Sequence, residues 1–178
     1  MTREYLALMG AAALLSACSM SPVRPMVDNA ALPEPVRVPA GQKFRMATTG
    51  VGEITYECRE KASAAGQFEW AFVAPVATLY GGDRRPVGKY YGGPTWEAND
   101  GSRIIGKQVA IAPASAGNIP LQLVKADPAM GAGAVNGVTY IQRLNTKGGV
   151  APVSACDAAA KGRRQQVAYE ADYLFYGS

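Results

Sequence analysis

No histidine occurs among the 178 residues of this sequence. That absence removes Ser-His-Asp and Cys-His nucleophilic catalysis and the commonest zinc ligand, so neither a metal site nor a cofactor is expected. There is no C-x-x-C pair and no G-x-G-x-x-G after a strand pattern, which argues against thiol redox and dinucleotide chemistry. Lys and Arg number 18 against 14 Asp and Glu, but the longest basic runs are the pairs Arg84-Arg85 and Arg163-Arg164. Charge scattered in this way does not track a phosphate backbone, so no nucleic-acid partner is expected. Long apolar runs are lacking as well. The longest, Leu6 to Leu15, would reach about 15 Å as a helix, half of a hydrocarbon core of about 30 Å.

What that short run is followed by is informative. Leu15-Ser16-Ala17-Cys18 places small residues and then a cysteine directly after it, with Arg3 as the only preceding positive charge. This is the form of a bacterial lipoprotein signal over residues 1–17, in which the Cys18 thiolate takes the lipid and becomes the mature N-terminus. An ordinary signal peptide cut after Ala17 is the alternative. Ser19 stands where an aspartate would retain the protein at the inner membrane, so the expected address is the outer membrane, facing the periplasm. Removing residues 1–17 takes away Arg3 and Glu4 and leaves the charge balance at +4.

Residues 18–40 then read as a tether, because Pro22, Pro25, Pro33, Pro35 and Pro39 remove amide donors and favour an extended spacer. With Cys18 assigned to the lipid, Cys58 and Cys156 remain as a pair in an oxidising compartment, most simply a disulfide. A redox pair or a metal site is the weaker alternative.

Residues 41–178 read as one domain. Ile54, Tyr56 and Cys58 alternate with Thr55, Glu57 and Arg59; Phe68, Trp70 and Phe72 repeat the pattern. Ile105, Val109 and Ile111 read as the apolar face of another strand, and so do Val138, Tyr140 and Leu144. Val167, Tyr169, Ala171, Tyr173 and Phe175 form the clearest face. Gly81-Gly82-Asp83, Asn99-Asp100-Gly101 and Asn136-Gly137 supply turns. Only residues 154–161 read as a short helix. The pattern predicts an all-β fold, a single antiparallel β-sandwich or barrel.

Several ordered motifs carry a resemblance. Residues 52–58 (GEITYEC), Trp70-Ala71-Phe72-Val73-Ala74-Pro75, Tyr91-Gly92-Gly93-Pro94-Thr95-Trp96-Glu97, Asn99-Asp100-Gly101-Ser102, residues 137–149, the Cys156 region and residues 167–176 resemble the DUF3455 family of uncharacterised secreted proteins. The resemblance implies a secreted single domain and carries no established activity. Lys89 stands near where that family often shows a histidine, and Ile119-Pro120-Leu121-Gln122 lacks the tryptophan often seen after the proline.

Candidate chemistry rests on two sets of residues. Glu97 and Asp100, three apart across a turn and beside Trp96, are the one pair that suggests a carboxylate-dependent glycan hydrolase; a hairpin turn with a surface glutamate is the simpler reading. Tyr90, Tyr91 and Trp96 with Arg103 and Arg143 suggest an aromatic and basic surface for a glycan or a small acidic ligand. Arg143, Asn145 and Thr146 could equally lock a strand end and loop to the backbone. The function expected is therefore a lipid-anchored envelope module that binds a ligand or a partner, without a catalytic centre. The alternatives are the hydrolase and a structural module that engages an envelope protein.

Overall fold

A computed structural model describes residues 27–178. The predicted signal peptide, the acylation site Cys18 and residues 19–26 of the tether lie outside the described residues. Eight antiparallel strands follow one another in chain order: β1 Lys43–Glu60, β2 Phe68–Tyr80, β3 Pro86–Tyr91, β4 Thr95–Ala98, β5 Arg103–Ala112, β6 Leu121–Ala126, β7 Val138–Gly148 and β8 Arg164–Gly177. Each pairs with the next, and β8 pairs with β1 to close a barrel. Of the two all-β architectures predicted, the barrel is the one formed.

Closure demands tight bending, and the ladder supplies it at register shifts between Thr55 and Tyr56, between Gln108 and Ala110, and between Leu144 and Lys147. Large rings fill the interior: Trp96 lies 4.9 Å from Tyr90, 5.6 Å from Tyr173 and 6.5 Å from Phe175, ring centre to ring centre. Glycine makes their space. A Cβ on Gly50 would sit 2.7 Å from Cε2 of Tyr173, and one on Gly106 would sit 2.3 Å from Val124 Cγ1. The outer face carries Glu53, Lys89, Lys107 and Lys125, all exposed. An apolar interior with a charged exterior is the inverse of a membrane-spanning barrel.

The strand β8 has the face predicted for it, with Tyr169, Ala171, Tyr173 and Phe175 all inside and buried. On β5 the predicted face is only partly formed: Ile105 faces outward, and Ile111, past the bulge, returns to the inner side. Ile104 is fully buried, whereas Ile105, Val109 and Ile111 are exposed by 38%, 54% and 48%. In a strand a one-residue shift exchanges every side chain between faces, and the bulge at 108–110 breaks the period again. The predicted helix over 154–161 is a single 3₁₀ turn, Ala158–Ala160, capped by the Asp157 side chain. Gly162, at φ +82°, turns the chain away at once. The cysteine pair is joined: Cys58, near the end of β1, bonds to Cys156 in the β7–β8 loop, 98 residues on.

From residue 27 the chain does not behave as a spacer. Two 3₁₀ turns, Asn29–Ala31 and Glu34–Val36, lay it across the outer face of the barrel. Val36 and Val38 are buried there in one cluster with Ala112, Leu123, Leu144, Leu174 and Tyr176. Proline still keeps the segment out of regular ladders, but its valines have an apolar surface to cover. Gln142, fully buried, fastens this strap: its Nε2 donates to the Val36 carbonyl (2.6 Å) and to Asn29 Oδ1 (3.1 Å), and its Oε1 accepts from the Tyr176 hydroxyl (2.8 Å). Replacing Gln142 with Leu strands those groups. The expected loss is about 1–3 kcal/mol, read as a lower urea midpoint with an unchanged slope.

Candidate functional site

Strand alternation divides the predicted binding residues into two groups. Tyr90 and Tyr91 are neighbours on β3, as Trp96 and Glu97 are on β4, so the members of each pair face opposite sides of the wall. Tyr90 (5% exposed), Trp96 (1%) and Arg143 face inward; Tyr91 and Arg103 face outward with Glu97. No single surface contains all five.

The outward group forms a small charged network. The Tyr91 hydroxyl donates to Glu97 Oε2 (2.6 Å), the Lys89 ammonium lies 3.0 Å from Glu97 Oε1, and Arg103 pairs with Glu97 across β4 and β5. These donors, Tyr91 first and Lys89 second, hold the Glu97 carboxyl below the ordinary range. A groove of 380 Å³ runs beside it along Gly88, Lys89, Glu97, Ala98, Asn99 and Gly101. Lys89 is thus an ion-pair partner of Glu97.

Asp100 belongs to a different arrangement. Its Oδ1 accepts from the Ser102 hydroxyl (2.6 Å) and amide (2.9 Å), and its Oδ2 accepts from the Ala134 amide (2.8 Å). The Ser102 hydrogen bond leads in lowering its pKa. Glu97 and Asp100 therefore have separate partners, and both favour the ionised form, whereas a glycosidase pair needs one carboxyl kept protonated. Asp100 instead pins the 127–137 loop over the upper mouth of the barrel. Beneath that loop lies a mainly apolar cavity of 60 Å³ bordered by Thr48, Trp96 and Phe175, large enough for about two waters.

The inward group is more unusual chemically. Gln142 faces the strap, so Arg143 beside it faces inside, where its positive charge opposes the raised pKa values that burial imposes on Tyr56, Tyr90, Tyr169 and Tyr173. Those hydroxyls stay protonated; Tyr169 and Tyr173 stand 3.3 Å apart, oxygen to oxygen. Arg143 donates through Nε and Nη2 to the Pro120 carbonyl (3.2 and 2.9 Å). Thr146 donates to the Ile119 carbonyl (2.7 Å), so both residues do fasten the 113–120 loop. Asn145 reaches Asp172 instead (2.9 Å). No carboxylate forms an ion pair with Arg143 among the described residues.

The register shows how this interior meets solvent. β3 pairs with β2 only over Val76–Tyr80, and β4 pairs with β5 only over Arg103–Ile105. The lower halves of β2 and β5, residues 68–75 and 106–112, therefore have no strand ladder between them among the described residues, and the wall there drops to the tip of the β3–β4 hairpin. Inward-facing side chains are exposed at this window. Phe72 (55% exposed) faces the same way as its partner Tyr56, with their rings edge to face at 6.2 Å, and Ile111 (48%) shares a cross-strand row with Gln122 and Arg143. Gln108, also exposed, accepts from Gln122 Nε2 (2.7 Å).

The sequence profile that matches this chain is the one described as a protein of unknown function, DUF3455, over residues 39–177. The chain belongs to the DUF3455 family. No curated protein and no solved structure matches it. The DUF3455 match begins at the end of the strap, so it spans all eight strands, the window and both cysteines of the bridge. Phe72, Gln108, Ile111 and Gln122 at the window were not among the candidate site residues read from the sequence, where Phe72 and Ile111 counted only as strand-face residues. One signal for them was present: Gly92-Gly93-Pro94 and Asn99-Asp100-Gly101 leave room for only a very short β4.

Proposed function

We propose that this DUF3455 protein is a ligand-binding module of the bacterial cell envelope, carried on a lipid at Cys18 and facing the periplasm from the outer membrane. The window between β2 and β5 is the observation that carries the reading. It brings the exposed side chains of Phe72, Gln108 and Ile111 to a lowered part of the wall. A small molecule entering there meets aromatic, amide and guanidinium groups on one rigid scaffold. The anchoring half of the reading rests on the run Leu15-Ser16-Ala17-Cys18 after the short apolar stretch.

Native mass spectrometry of the intact protein, purified from membranes and exposed to periplasmic extract, tests both halves. The expected result is a diacylglycerol and acyl mass on the Cys18 peptide, and a small-molecule adduct that disappears in Ile111→Trp, which blocks the window. An unmodified Cys18 peptide overturns the anchor. A protein without adduct, or one whose adduct persists in the blocked variant, overturns the ligand.

A further inference from the structure

The window frames two polar groups whose partners are incomplete. Arg143 is a permanent cation inside the barrel, and among the described residues its hydrogen bonds go to the neutral carbonyl of Pro120. A guanidinium has five N–H donors, and these two contacts leave others free. Gln122 is 93% buried, and its Nε2 is used by Gln108, but its Oε1 has no partner among the described residues. Gln122 and Arg143 are directly opposed across β6 and β7, which puts their Cβ atoms about 5 Å apart on the inner face. Ile111, opposite Gln122 across β5 and β6, and Phe72, on the β2 edge of the window, present apolar surface to solvent.

A buried acceptor without a donor costs about 1–3 kcal/mol, and the half-buried Arg143 guanidinium keeps spare N–H donors that favour an anion. One ligand chemistry satisfies both groups together. A carboxylate accepts from Arg143, a hydroxyl on the adjacent carbon donates to Gln122 Oε1, and an apolar body covers Phe72 and Ile111. We propose that the window binds small 2-hydroxy carboxylates with an aromatic or branched apolar group. This rests on the reading of the barrel as a ligand module and gives it a ligand class. An α-ammonium suits the place less well than a hydroxyl, because it would bring a second positive charge next to Arg143, which has no carboxylate ion-pair partner among the described residues.

Mandelate is the probe, titrated calorimetrically at neutral pH into the intact protein in a nonionic detergent. Phenylacetate lacks its hydroxyl, mandelamide lacks its charge and lactate lacks its ring. Each control is expected to bind about tenfold more weakly than mandelate. Gln108→Glu, at an exposed position, places a negative charge at the lip. It is expected to weaken mandelate about tenfold with an unchanged melting temperature, which separates loss of the site from loss of the fold. Equal affinity for mandelamide, equal affinity for phenylacetate, no effect of Gln108→Glu, or no heat from mandelate each overturns the proposal. If the native-mass adduct is then present but uncharged, the ligand module stands and only the acid class falls. If the adduct is also absent, both fall.

Discussion

Removing the Cys58–Cys156 bridge is expected to lower the melting temperature by about 15 °C. The bond closes a loop of 98 residues, and in the chain-entropy description a loop of that length restricts the unfolded chain by about 4–5 kcal/mol at room temperature. For a domain of this size each kcal/mol moves the midpoint by roughly 2–4 °C. The native side adds little that survives reduction. Around Cys156 the β7–β8 loop is held by the Trp70 indole, which donates to the Ser154 carbonyl (2.9 Å), and by the Cys58 amide, which donates to Arg163 (2.9 Å). Calorimetry of the protein with and without reductant, and of the Cys58→Ser, Cys156→Ser double variant, measures the change. A drop below about 5 °C would show that the unfolded chain gains little freedom when the bridge opens.

Trp96→Ala is expected to destabilise the barrel by about 3–5 kcal/mol, a shift of about 2 M in the urea midpoint. Three ring contacts and the surface shared with Gly106 are lost together, and closed neighbouring strands limit how far the site can collapse. Trp96→Phe retains much of the packing and is expected to lose less than half as much. The experiment also separates two meanings of this residue. As a stacking platform for a ligand, Trp96 would be dispensable for folding; as the ring at the centre of the barrel, it is not. A loss under about 1 kcal/mol would contradict the second meaning.

Much of the fold was legible because strands leave a period of two in the sequence, and β8 keeps that period from Val167 to Phe175 without a bulge. Where the period fails, so does the reading. The bulge at 108–110 and the short turn before Arg103 put Ile104 rather than Ile105 inside, and no local pattern distinguishes the two isoleucines. The strap is another such case. Proline content foretells an irregular backbone but not whether an apolar face elsewhere is waiting for Val36 and Val38.

The candidate site shows the same division. Arg103, Arg143, Tyr90, Tyr91 and Trp96 were visible as aromatic and basic residues, but adjacency in sequence is opposition in space on a strand, so Tyr90 parts from Tyr91 at once. Arg143 and Gln122 lie 21 positions apart and meet only because β6 and β7 pair in one particular register. Sequence by itself determined the all-β class, the turns and the absence of histidine, since each follows from residue type and local spacing; the Cys58–Cys156 pair was expected by setting Cys18 aside, and the fold is what brings the two together. The closed barrel, the docked strap, the separation of Glu97 from Asp100 and the window holding Arg143 were decided by the tertiary structure. Each depends on strand length and register, which are set by contacts between segments far apart in the chain.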